Sequence, residues 1–138
     1  MLGIVCRRYA DAVAVSGTHG KTTTTAMLTQ ILVQSGKDPT AIIGGKLPFL
    51  GGNSRVGSSE IMVCEACEYV DTFLQLRGGS IILNIDAIIL DYFKDLNNII
   101  KSFHQFALQT TKRLVVNGDD ANTQKAIAGV SCLRLLLA

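Results

Sequence analysis

One ten-residue stretch of the chain, SGTHGKTTTT at 16–25, has residue types that suit phosphate chemistry. A turn of small residues between a strand and a helix exposes consecutive backbone N–H groups, and the amino end of the helix adds partial positive charge. Gly17 and Gly20 let an anion approach the backbone closely. The Lys21 ammonium can reach the β- and γ-phosphates of a nucleotide, and the Thr22 hydroxyl can bind Mg²⁺. The stretch therefore predicts a nucleotide phosphate loop.

The loop departs from the strict pattern G-x-x-x-x-G-K-[ST], because Val15 stands where the first glycine is required. The chain meets the looser pattern S-G-T-x-G-K-T-T. A glycine-rich turn with a solvated lysine is the alternative interpretation. The apolar run before the loop and the helical spacing after it favour phosphate binding.

Short apolar runs rich in β-branched residues recur along the chain and indicate strands that are covered on both faces. These predicted strands are 12–16, 40–44, 61–64, 81–85 and 114–117. A helix is predicted between the first two strands, at 22–34, with Gly36 as its C-terminal cap. Its expected apolar stripe consists of Met27, Leu28, Ile31 and Leu32.

A second helix is predicted between the last two strands, where Asp95 can cap its amino end. Its apolar stripe is continuous and consists of Leu96, Ile99, Ile100, Phe103, Phe106 and Ala107. The alternation of strands and helices predicts an α/β fold with a mostly parallel sheet. In such a sheet the ligand site lies at the carboxyl ends of the strands.

Two further segments have no helical spacing. Residues 44–57, GGKLPFLGGNSRVG, are rich in glycine and contain Pro48, so we expect a long functional loop. The tail GVSCLRLLLA predicts one more strand and ends on an apolar residue without a polar cap. We therefore expect residues 1–138 to be part of a larger domain.

Composition indicates a single globular domain without a membrane span. The chain has 138 residues, a formal net charge of +2 and no apolar run of the about 18–20 residues that a transmembrane helix needs. We expect a cytoplasmic protein that binds neither membranes nor nucleic acid. Its four cysteines are expected to be reduced. Cys64 and Cys67 form one C-x-x-C, for which buried thiols are favoured over a redox or zinc site.

Several segments, in the order in which they occur, resemble the central ATP-binding domain of the Mur ligases. They cover about residues 3–127 and include AVSGTHGKTTTTAML, DPTAIIGGKL, GGNSRVG, VCEACE, FLQL, LNIDA, LDYFKDLNNI and LVVNGDD. The resemblance implies an ATP-dependent ligase of peptidoglycan precursor synthesis. In this chemistry ATP activates the carboxylate of UDP-N-acetylmuramate as an acyl phosphate, which the amine of L-alanine then attacks. It also implies an amino-terminal UDP-binding domain and a carboxyl-terminal domain, both expected outside residues 1–138.

The resemblance also assigns roles to particular residues. It places the phosphates of ATP on Gly17, Thr18, His19, Gly20, Lys21, Thr22 and Thr23. It places one Mg²⁺ on Thr22 and Glu65, and it gives catalytic roles to Lys21, Glu65 and Asn84. Contacts with UDP-N-acetylmuramate are expected from Asn53, Ser54 and Arg55. For His19 and Arg55, solvated surface positions remain the alternative.

Three positions, at two sites, depart from the pattern of the Mur ligases. After the strand at 81–85 the family has N-I-x-x-D-H-L-D, whose histidine serves a second Mg²⁺, whereas this chain has Ile88 and Ile89 in place of Asp-His. An isoleucine side chain cannot bind a hard cation. Cys67 replaces the aspartate of an acidic E-A-D-E cluster. We therefore expect nucleotide binding to survive better than ligase turnover, since losing a metal ligand slows an enzyme strongly.

Three functions agree with these residues. The first is the ligase module itself, and the second is a catalytically inactive nucleotide-binding fragment. The third is a different P-loop ligase similar to folylpolyglutamate synthase, which resembles this chain mostly in the phosphate loop. The ordered set of later motifs disfavours the third.

Replacing the isoleucine pair by Asp-His, Ile88→Asp with Ile89→His, is expected to raise phosphoryl transfer about tenfold or more in a full-length ligase. The reason is that a carboxylate and an imidazole suit a second Mg²⁺, whereas two isoleucines do not. ADP release in the presence of UDP-N-acetylmuramate and L-alanine measures the rate. Ile88→Asn with Ile89→Gln is the control, since it adds polarity without either group. An unchanged rate in the Asp-His variant would contradict the hypothesis that the missing metal ligand limits phosphoryl transfer.

Overall fold

The computed structural model describes residues 2–67, 73, 76, 78–87 and 95–137. Within these residues, seven strands form one sheet that has helices on both faces. None of the described helices is long and apolar enough to cross a membrane. The strands are β1 (Asp11–Ser16), β2 (Thr40–Leu47), β3 (Gly52–Arg55), β4 (Ile61–Glu65), β5 (Gly78–Ile82), β6 (Thr110–Asn117) and β7 (Leu133–Leu137). The helices are α1 (Leu2–Cys6), α2 (Lys21–Gln34), α3 (Leu96–Gln109) and α4 (Ala121–Ala126), with one 3-10 turn at Pro48–Leu50.

The order of strands across the sheet is β3-β2-β4-β1-β5-β6-β7. All neighbouring strands are parallel except β2 and β3. The predicted α/β fold with a mostly parallel sheet is therefore confirmed. Because β1 lies between β4 and β5, the segments that follow these three strands meet at one edge of the sheet. This edge, called the carboxyl edge below, carries the phosphate loop.

The larger core lies between the sheet and α3. Phe103 and Phe106 are at most 1% exposed, and Phe73 packs on both, with ring centroids 5.2 Å from Phe103 and 4.8 Å from Phe106. At the amino end of α3, the Asp95 carboxylate accepts a hydrogen bond from the Asn98 N–H at 2.9 Å. The predicted cap and the predicted apolar stripe of α3 are confirmed.

Helix α2 meets the other face of the sheet with a side that the sequence analysis did not predict. Thr25 and Thr29 are fully buried, whereas Met27 is 59% and Ile31 60% exposed. The predicted apolar stripe is wrong for these two residues. Thr22, Thr25 and Thr29 share one side of the helix, and Thr22 contacts the sheet at the carboxyl edge, so this side is turned inward. The buried hydroxyls donate to carbonyls one turn earlier, both at 2.7 Å.

The carboxyl end of α2 follows the sequence prediction. Gly36 has φ 74°, a conformation that favours glycine. Its N–H donates to the Val33 carbonyl at 3.0 Å, and the Lys37 N–H donates to the Leu32 carbonyl at 2.9 Å. These paired bonds are those of a Schellman motif, which satisfies carbonyls at the end of a helix.

Three predicted boundaries are wrong, and one terminal element is confirmed. Residues 44–57 are not one long loop, because β2 continues to Leu47 and β3 returns beside it as an antiparallel edge strand. Strand β5 is Gly78–Ile82 and not 81–85, and β6 begins at Thr110 and not at 114. The Leu83 N–H still donates to Ser16 of β1, and from Asn84 onward the backbone bonds to the phosphate loop and to the cap of α4. The predicted strand in the tail is confirmed as β7.

Met27→Gln is expected to change the free energy of unfolding by less than about 0.5 kcal/mol, because Met27 is 59% exposed. Phe103→Ala is expected to cost about 3–5 kcal/mol, because its ring is fully buried. Urea denaturation followed by circular dichroism measures both changes. If Met27→Gln cost as much as a core substitution, the side of α2 predicted from the sequence would be the buried one.

Candidate functional site

The phosphate loop, residues 17–20, joins β1 to α2, and both of its glycines are required by the backbone. Gly17 has φ 141°, and Gly20, the N-cap of α2, has φ 84°. A Cβ at Gly17 would also lie 3.0 Å from the Leu83 Cβ and 3.2 Å from the backbone nitrogen of Asn84. Gly17 is therefore needed for close packing against the segment after β5, in addition to any contact with an anion.

Asn84 holds the loop from that neighbouring segment. Its side-chain amide accepts a hydrogen bond from the His19 N–H at 2.8 Å and donates one to the His19 carbonyl at 3.1 Å. The Asn84 carbonyl accepts a hydrogen bond from the Thr18 N–H at 3.0 Å. The N–H groups of Thr18 and His19 are thus bonded to Asn84. The N–H groups in the first turn of α2, which include those of Thr22 and Thr23, lack acceptors within the helix and are better suited to an anion.

Asp86 contacts the same loop. The Thr18 hydroxyl accepts a hydrogen bond from the Asp86 N–H at 2.8 Å. His19 Nε2 lies 3.8 Å from the Asp86 carboxylate, and both side chains are more than half exposed. An exposed pair of this kind contributes at most about 1 kcal/mol. The structure therefore places His19 at the surface, with its backbone firmly held and its ring weakly held.

Lys21 is the first residue of α2, and its ammonium bends back over the loop. Nζ donates to the Gly17 carbonyl at 2.6 Å and to the Thr18 carbonyl at 3.4 Å. The side chain is half-buried, so its positive charge is held at the loop. A lysine ammonium is a point charge on a flexible stem, which lets it move from these carbonyls to a phosphate oxygen.

Thr22 and Glu65, the pair to which the resemblance assigns Mg²⁺, meet at the carboxyl edge. Thr22 Oγ1 donates to Glu65 Oε2 at 2.9 Å, and the Gly44 N–H donates to the same oxygen at 2.7 Å. A Cβ at Gly44 would lie 2.5 Å from that oxygen, and one at Gly45 would lie 3.2 Å from the Thr22 methyl group. The two glycines of β2 therefore leave the space that the carboxylate and the threonine occupy.

The oxygens of Thr22 and Glu65 fit one hard cation. Mg²⁺ binds oxygen ligands octahedrally at about 2.0–2.1 Å, which places adjacent ligands about 2.9 Å apart. The two oxygens lie 2.9 Å apart beside the phosphate loop, a spacing that their hydrogen bond sets in this structure and that two adjacent ligands of Mg²⁺ would also have. These residues would hold the cation, and the binding itself remains a prediction. The Ile88–Ile89 pair, where the family has a second metal ligand, lies outside the described residues.

The three residues expected to contact UDP-N-acetylmuramate, Asn53, Ser54 and Arg55, all lie on β3. Asn53 and Ser54 are exposed. Because β3 is antiparallel to β2, Arg55 pairs with Ala41 near the amino end of β2. The structure thus brings Thr22 together with Glu65 at the carboxyl edge but places Arg55 toward the end of the sheet where β2 begins. The substrate contact of the three residues remains a prediction.

Arg55 has a partner at that end of the sheet. Its guanidinium forms an ion pair with the Asp38 carboxylate. The Ser58 hydroxyl and N–H both donate to the same carboxylate at 2.7 Å. These hydrogen bonds, together with the smaller effect of the Arg55 charge, lower the pKa of Asp38. The acid therefore remains ionised at neutral pH and holds the guanidinium beside β2.

The two cysteines of the C-x-x-C lie in different surroundings. Cys64 is buried, with its Sγ 3.7 Å from the Sγ of buried Cys6. Hydrogen bonding to Cys6 and burial raise the pKa of Cys64 well above its usual value, so this group is a thiol. Cys67 is exposed. Across the ranges that the structure describes, no three His, Cys, Asp or Glu side chains come together as a metal site.

A cavity of about 440 Å³ lies next to the loop, at the carboxyl ends of β5 and β6. Leu83, Asn117 and Asp119 are among the residues that line it. Small-molecule sites have volumes of about 300–1,000 Å³ and combine an apolar lining with a few polar groups. The cavity therefore has the size and position of a ligand site, as the sequence analysis predicts for this edge of the sheet.

Three residues that support the site were not predicted from the sequence. Gly44 is predicted as the last residue of a strand and the first of a loop, and Gly45 as part of that loop, although their lack of side chains admits Glu65 and Thr22. Asp120 has no predicted role, although its carboxylate accepts a hydrogen bond from the Ile85 N–H at 2.8 Å. The available signals were a glycine pair at the end of a predicted strand and the acidic turn N-G-D-D after another.

The comparisons with known sequences agree with this geometry. The family model of the Mur ligase middle domain matches residues 15–134. The UDP-N-acetylmuramate–L-alanine ligase of Caldanaerobacter subterraneus subsp. tengcongensis is 47% identical over 133 residues, which are 94% of this chain and 29% of that relative. The chain thus spans about three tenths of the length of the curated relatives it matches.

Solved structures of such ligases have the same fold. A UDP-N-acetylmuramate-alanine ligase from Thermotoga maritima matches with a TM-score of 0.79 and 27% identity, over 97% of this chain and 30% of that chain. The UDP-N-acetylmuramate:L-alanyl-gamma-D-glutamyl-meso-diaminopimelate ligase from Neisseria meningitides matches with a TM-score of 0.86 and 28% identity, over 98% of this chain and 47% of that chain. The sheet and its phosphate loop are thus shared with ligases of muramate compounds.

Gly44→Ala is expected to displace the Glu65 carboxylate, because the new Cβ would overlap with Oε2. The free energy of unfolding is expected to fall by about 1 kcal/mol or less, because the end of the glutamate side chain can move aside and only its hydrogen bond to the Gly44 N–H is lost. Gly52→Ala is the matched control, since a Cβ there meets nothing within 4 Å. We expect this control to change stability by less than about 0.5 kcal/mol. Denaturant unfolding measures stability in both variants, and NMR of the Glu65 carboxyl carbon measures the displacement. A carboxyl chemical shift that is the same in Gly44→Ala as in wild type would contradict the close approach of Glu65 to β2.

Proposed function

Because the chain belongs to the Mur ligase family and matches its middle domain, we propose that it holds ATP phosphates and one Mg²⁺ for a ligase that joins L-alanine to UDP-N-acetylmuramate. The observation that carries this proposal is the Thr22–Glu65 pair, whose oxygens lie 2.9 Å apart beside the loop that Lys21 covers. A carboxylate, a hydroxyl and an ammonium beside a glycine-shaped loop suit a nucleoside triphosphate and its cation. The two substrates are taken from the name of the relative.

The proposed reaction has two steps. A carboxylate oxygen of UDP-N-acetylmuramate attacks the γ-phosphorus of ATP, and the bond from that phosphorus to the bridging oxygen breaks. ADP is the leaving group, and the substrate carboxylate becomes an acyl phosphate. The L-alanine nitrogen then attacks the acyl carbon, inorganic phosphate leaves, and the nitrogen loses its proton as the amide forms. Both steps require that negative charge on the phosphoryl group be neutralised.

Residues of this chain supply that neutralisation and the positioning. Lys21 and the first-turn N–H groups of α2 bring positive charge to the phosphates. Thr22 and Glu65 would hold Mg²⁺, which neutralises phosphate charge and polarises the phosphoryl group when it is bound. The Gly44 N–H keeps Glu65 in place at 2.7 Å before any ligand arrives. For Asn84 we propose a positioning role in place of a catalytic one, since its amide is bonded to the loop backbone.

The contacts of Asn53, Ser54 and Arg55 with UDP-N-acetylmuramate are proposed from the resemblance, because Arg55 pairs with Asp38 away from the phosphate loop. A cytoplasmic location is proposed from the sequence, and it agrees with the free Cys6 and Cys64 thiols.

Nucleotide binding without turnover is the second candidate function. Cys67 favours it, because this exposed thiol lies two residues after Glu65, at the position of the aspartate in the family pattern. A thiol is a poor ligand for a hard cation, whereas the Thr22–Glu65 pair is unaffected by this replacement. The two candidates therefore agree on ATP binding and differ in amide formation.

Lys21→Ala is expected to weaken ATP binding about tenfold or more in the presence of Mg²⁺, because it removes the charge at the loop. Isothermal titration calorimetry measures the Kd of the 138-residue chain for Mg·ATP. Lys37→Ala is the control, since Lys37 is exposed at the far end of α2 and should leave the Kd unchanged.

The phosphate site that both candidates share is tested first, and the choice between them second. An equal Kd for wild type and Lys21→Ala, or no binding of Mg·ATP by wild type, would refute the phosphate site. If ATP binds as expected, amide formation from UDP-N-acetylmuramate and L-alanine, assayed in a full-length ligase that carries this chain, separates ligase from inactive binder.

A further inference from the structure

The segment after β5, residues 83–87, is called the connector below. It forms hydrogen bonds with the backbone of the phosphate loop and with the Thr18 hydroxyl. Asn84 binds both the N–H and the carbonyl of His19, and its own carbonyl accepts the Thr18 N–H. One residue further on, the Asp86 N–H donates to the Thr18 hydroxyl at 2.8 Å. Asn84 and Asp86 therefore both face the loop.

Ile85 lies between these two residues and is held from the other side of the connector. Its N–H donates to Asp120 Oδ2 at 2.8 Å, and its carbonyl accepts a hydrogen bond from Asn122 Nδ2 at 2.9 Å. Its side chain is only 2% exposed and belongs to the main core. The backbone groups of Ile85 are thus both bonded to α4 or its cap, while Asn84 and Asp86 face the loop.

We propose that Asp120 and Asn122 are positioning residues for the nucleotide, because they fix the connector that holds the phosphate loop. The inference rests on the proposed function and extends it to residues that do not line the loop. If the connector is released at Ile85, Asn84 and Asp86 lose the fixed position from which they bond to Thr18 and His19. A loop that is ordered for only part of the time binds its ligand more weakly in proportion to that fraction.

The two oxygens of Asp120 perform separable tasks. Oδ1 accepts the Asn122 N–H at 3.3 Å and so caps α4, whereas Oδ2 accepts the Ile85 N–H and the Thr123 hydroxyl. Serine is about as good an N-cap as aspartate, but its side chain is one atom shorter. Asp120→Ser therefore keeps a cap on α4 and is expected to lose both bonds of Oδ2, to the Ile85 N–H and to the Thr123 hydroxyl.

Asn122→Ala tests the second contact. It removes the hydrogen bond to the Ile85 carbonyl and places a better helix former in α4. Two variants serve as matched controls. Asp95→Ser makes the same exchange at the N-cap of α3, where the carboxylate accepts the Asn98 N–H. Gln124→Ala removes a side-chain bond to Gly118 that does not involve the connector.

The first measurement is amide hydrogen exchange by NMR in the ligand-free 138-residue chain. Asp120→Ser and Asn122→Ala are expected to speed exchange at Thr18 and His19 about tenfold, while exchange at Phe103 in the core helix changes little. A merely structural role would accelerate the core amide and the loop amides together. Unchanged loop exchange in both variants would overturn the proposal.

The second measurement is the Kd for Mg·ATP by calorimetry, together with the free energy of unfolding. Each of the two variants is expected to raise the Kd about threefold to tenfold, and the two controls are expected to leave it unchanged. A Kd that stays at the wild-type value, or that rises equally in the controls, would overturn the positioning role. If wild type does not bind Mg·ATP but the variants still loosen Thr18 and His19, the proposed function fails and the hold on the loop stands.

Discussion

Three elements of the fold meet at the Glu65 carboxylate, which ends β4. One of its oxygens accepts hydrogen bonds from the Thr22 hydroxyl of α2 and from the Gly44 N–H of β2, at 2.9 and 2.7 Å. A carboxylate in such close contact with backbone needs donors, and only a glycine at position 44 leaves room for it. The order β2-β4-β1 places β2 beside β4, so that the Gly44 N–H reaches Glu65. The orientation of α2 about its axis turns the Thr22 hydroxyl toward the same carboxylate.

This orientation of α2 reduces the apolar area that the helix buries against its face of the sheet. Thr25 and Thr29 follow Thr22 along the inward side, so Met27 and Ile31 are turned outward. The buried threonine hydroxyls donate back to carbonyls of the helix itself. Apolar stabilisation is greater on the other face, where α3 buries Phe103 and Phe106. The fold therefore uses one face of the sheet mainly for its core and the other to orient the site.

The phosphate loop depends on contacts outside itself for its shape. Gly17 packs against Leu83, and the backbone of Thr18 and His19 is bonded to Asn84. Two of the N–H groups that a loop motif would assign to phosphate are thereby bonded within the protein. Anion binding then relies on the first turn of α2 and on the half-buried Lys21, which the fixed loop holds in position.

The sequence by itself determined the α/β class, the cap of α3 at Asp95, the end of α2 at Gly36 and the place of the phosphate loop. Each of these follows from residue spacing within a few positions, where local hydrogen bonds and side-chain periodicity decide the conformation. The resemblance also predicted that Thr22 and Glu65 act together, because the two residues belong to separate motifs that occur in the same order in the family. It could not record that Arg55 would pair with Asp38, because the register of β3 decides that.

Only the tertiary structure decided which side of α2 is buried, that residues 44–57 return as an edge strand and that Asn84 binds the loop backbone. The contacts responsible join residues far apart in the chain, 43 positions for Thr22 with Glu65 and 65 for His19 with Asn84. Helical periodicity states which residues share a side, but not what that side packs against. Which side of α2 packs inward is decided by the elements that meet at the carboxyl edge, because the polar groups there must form hydrogen bonds with one another.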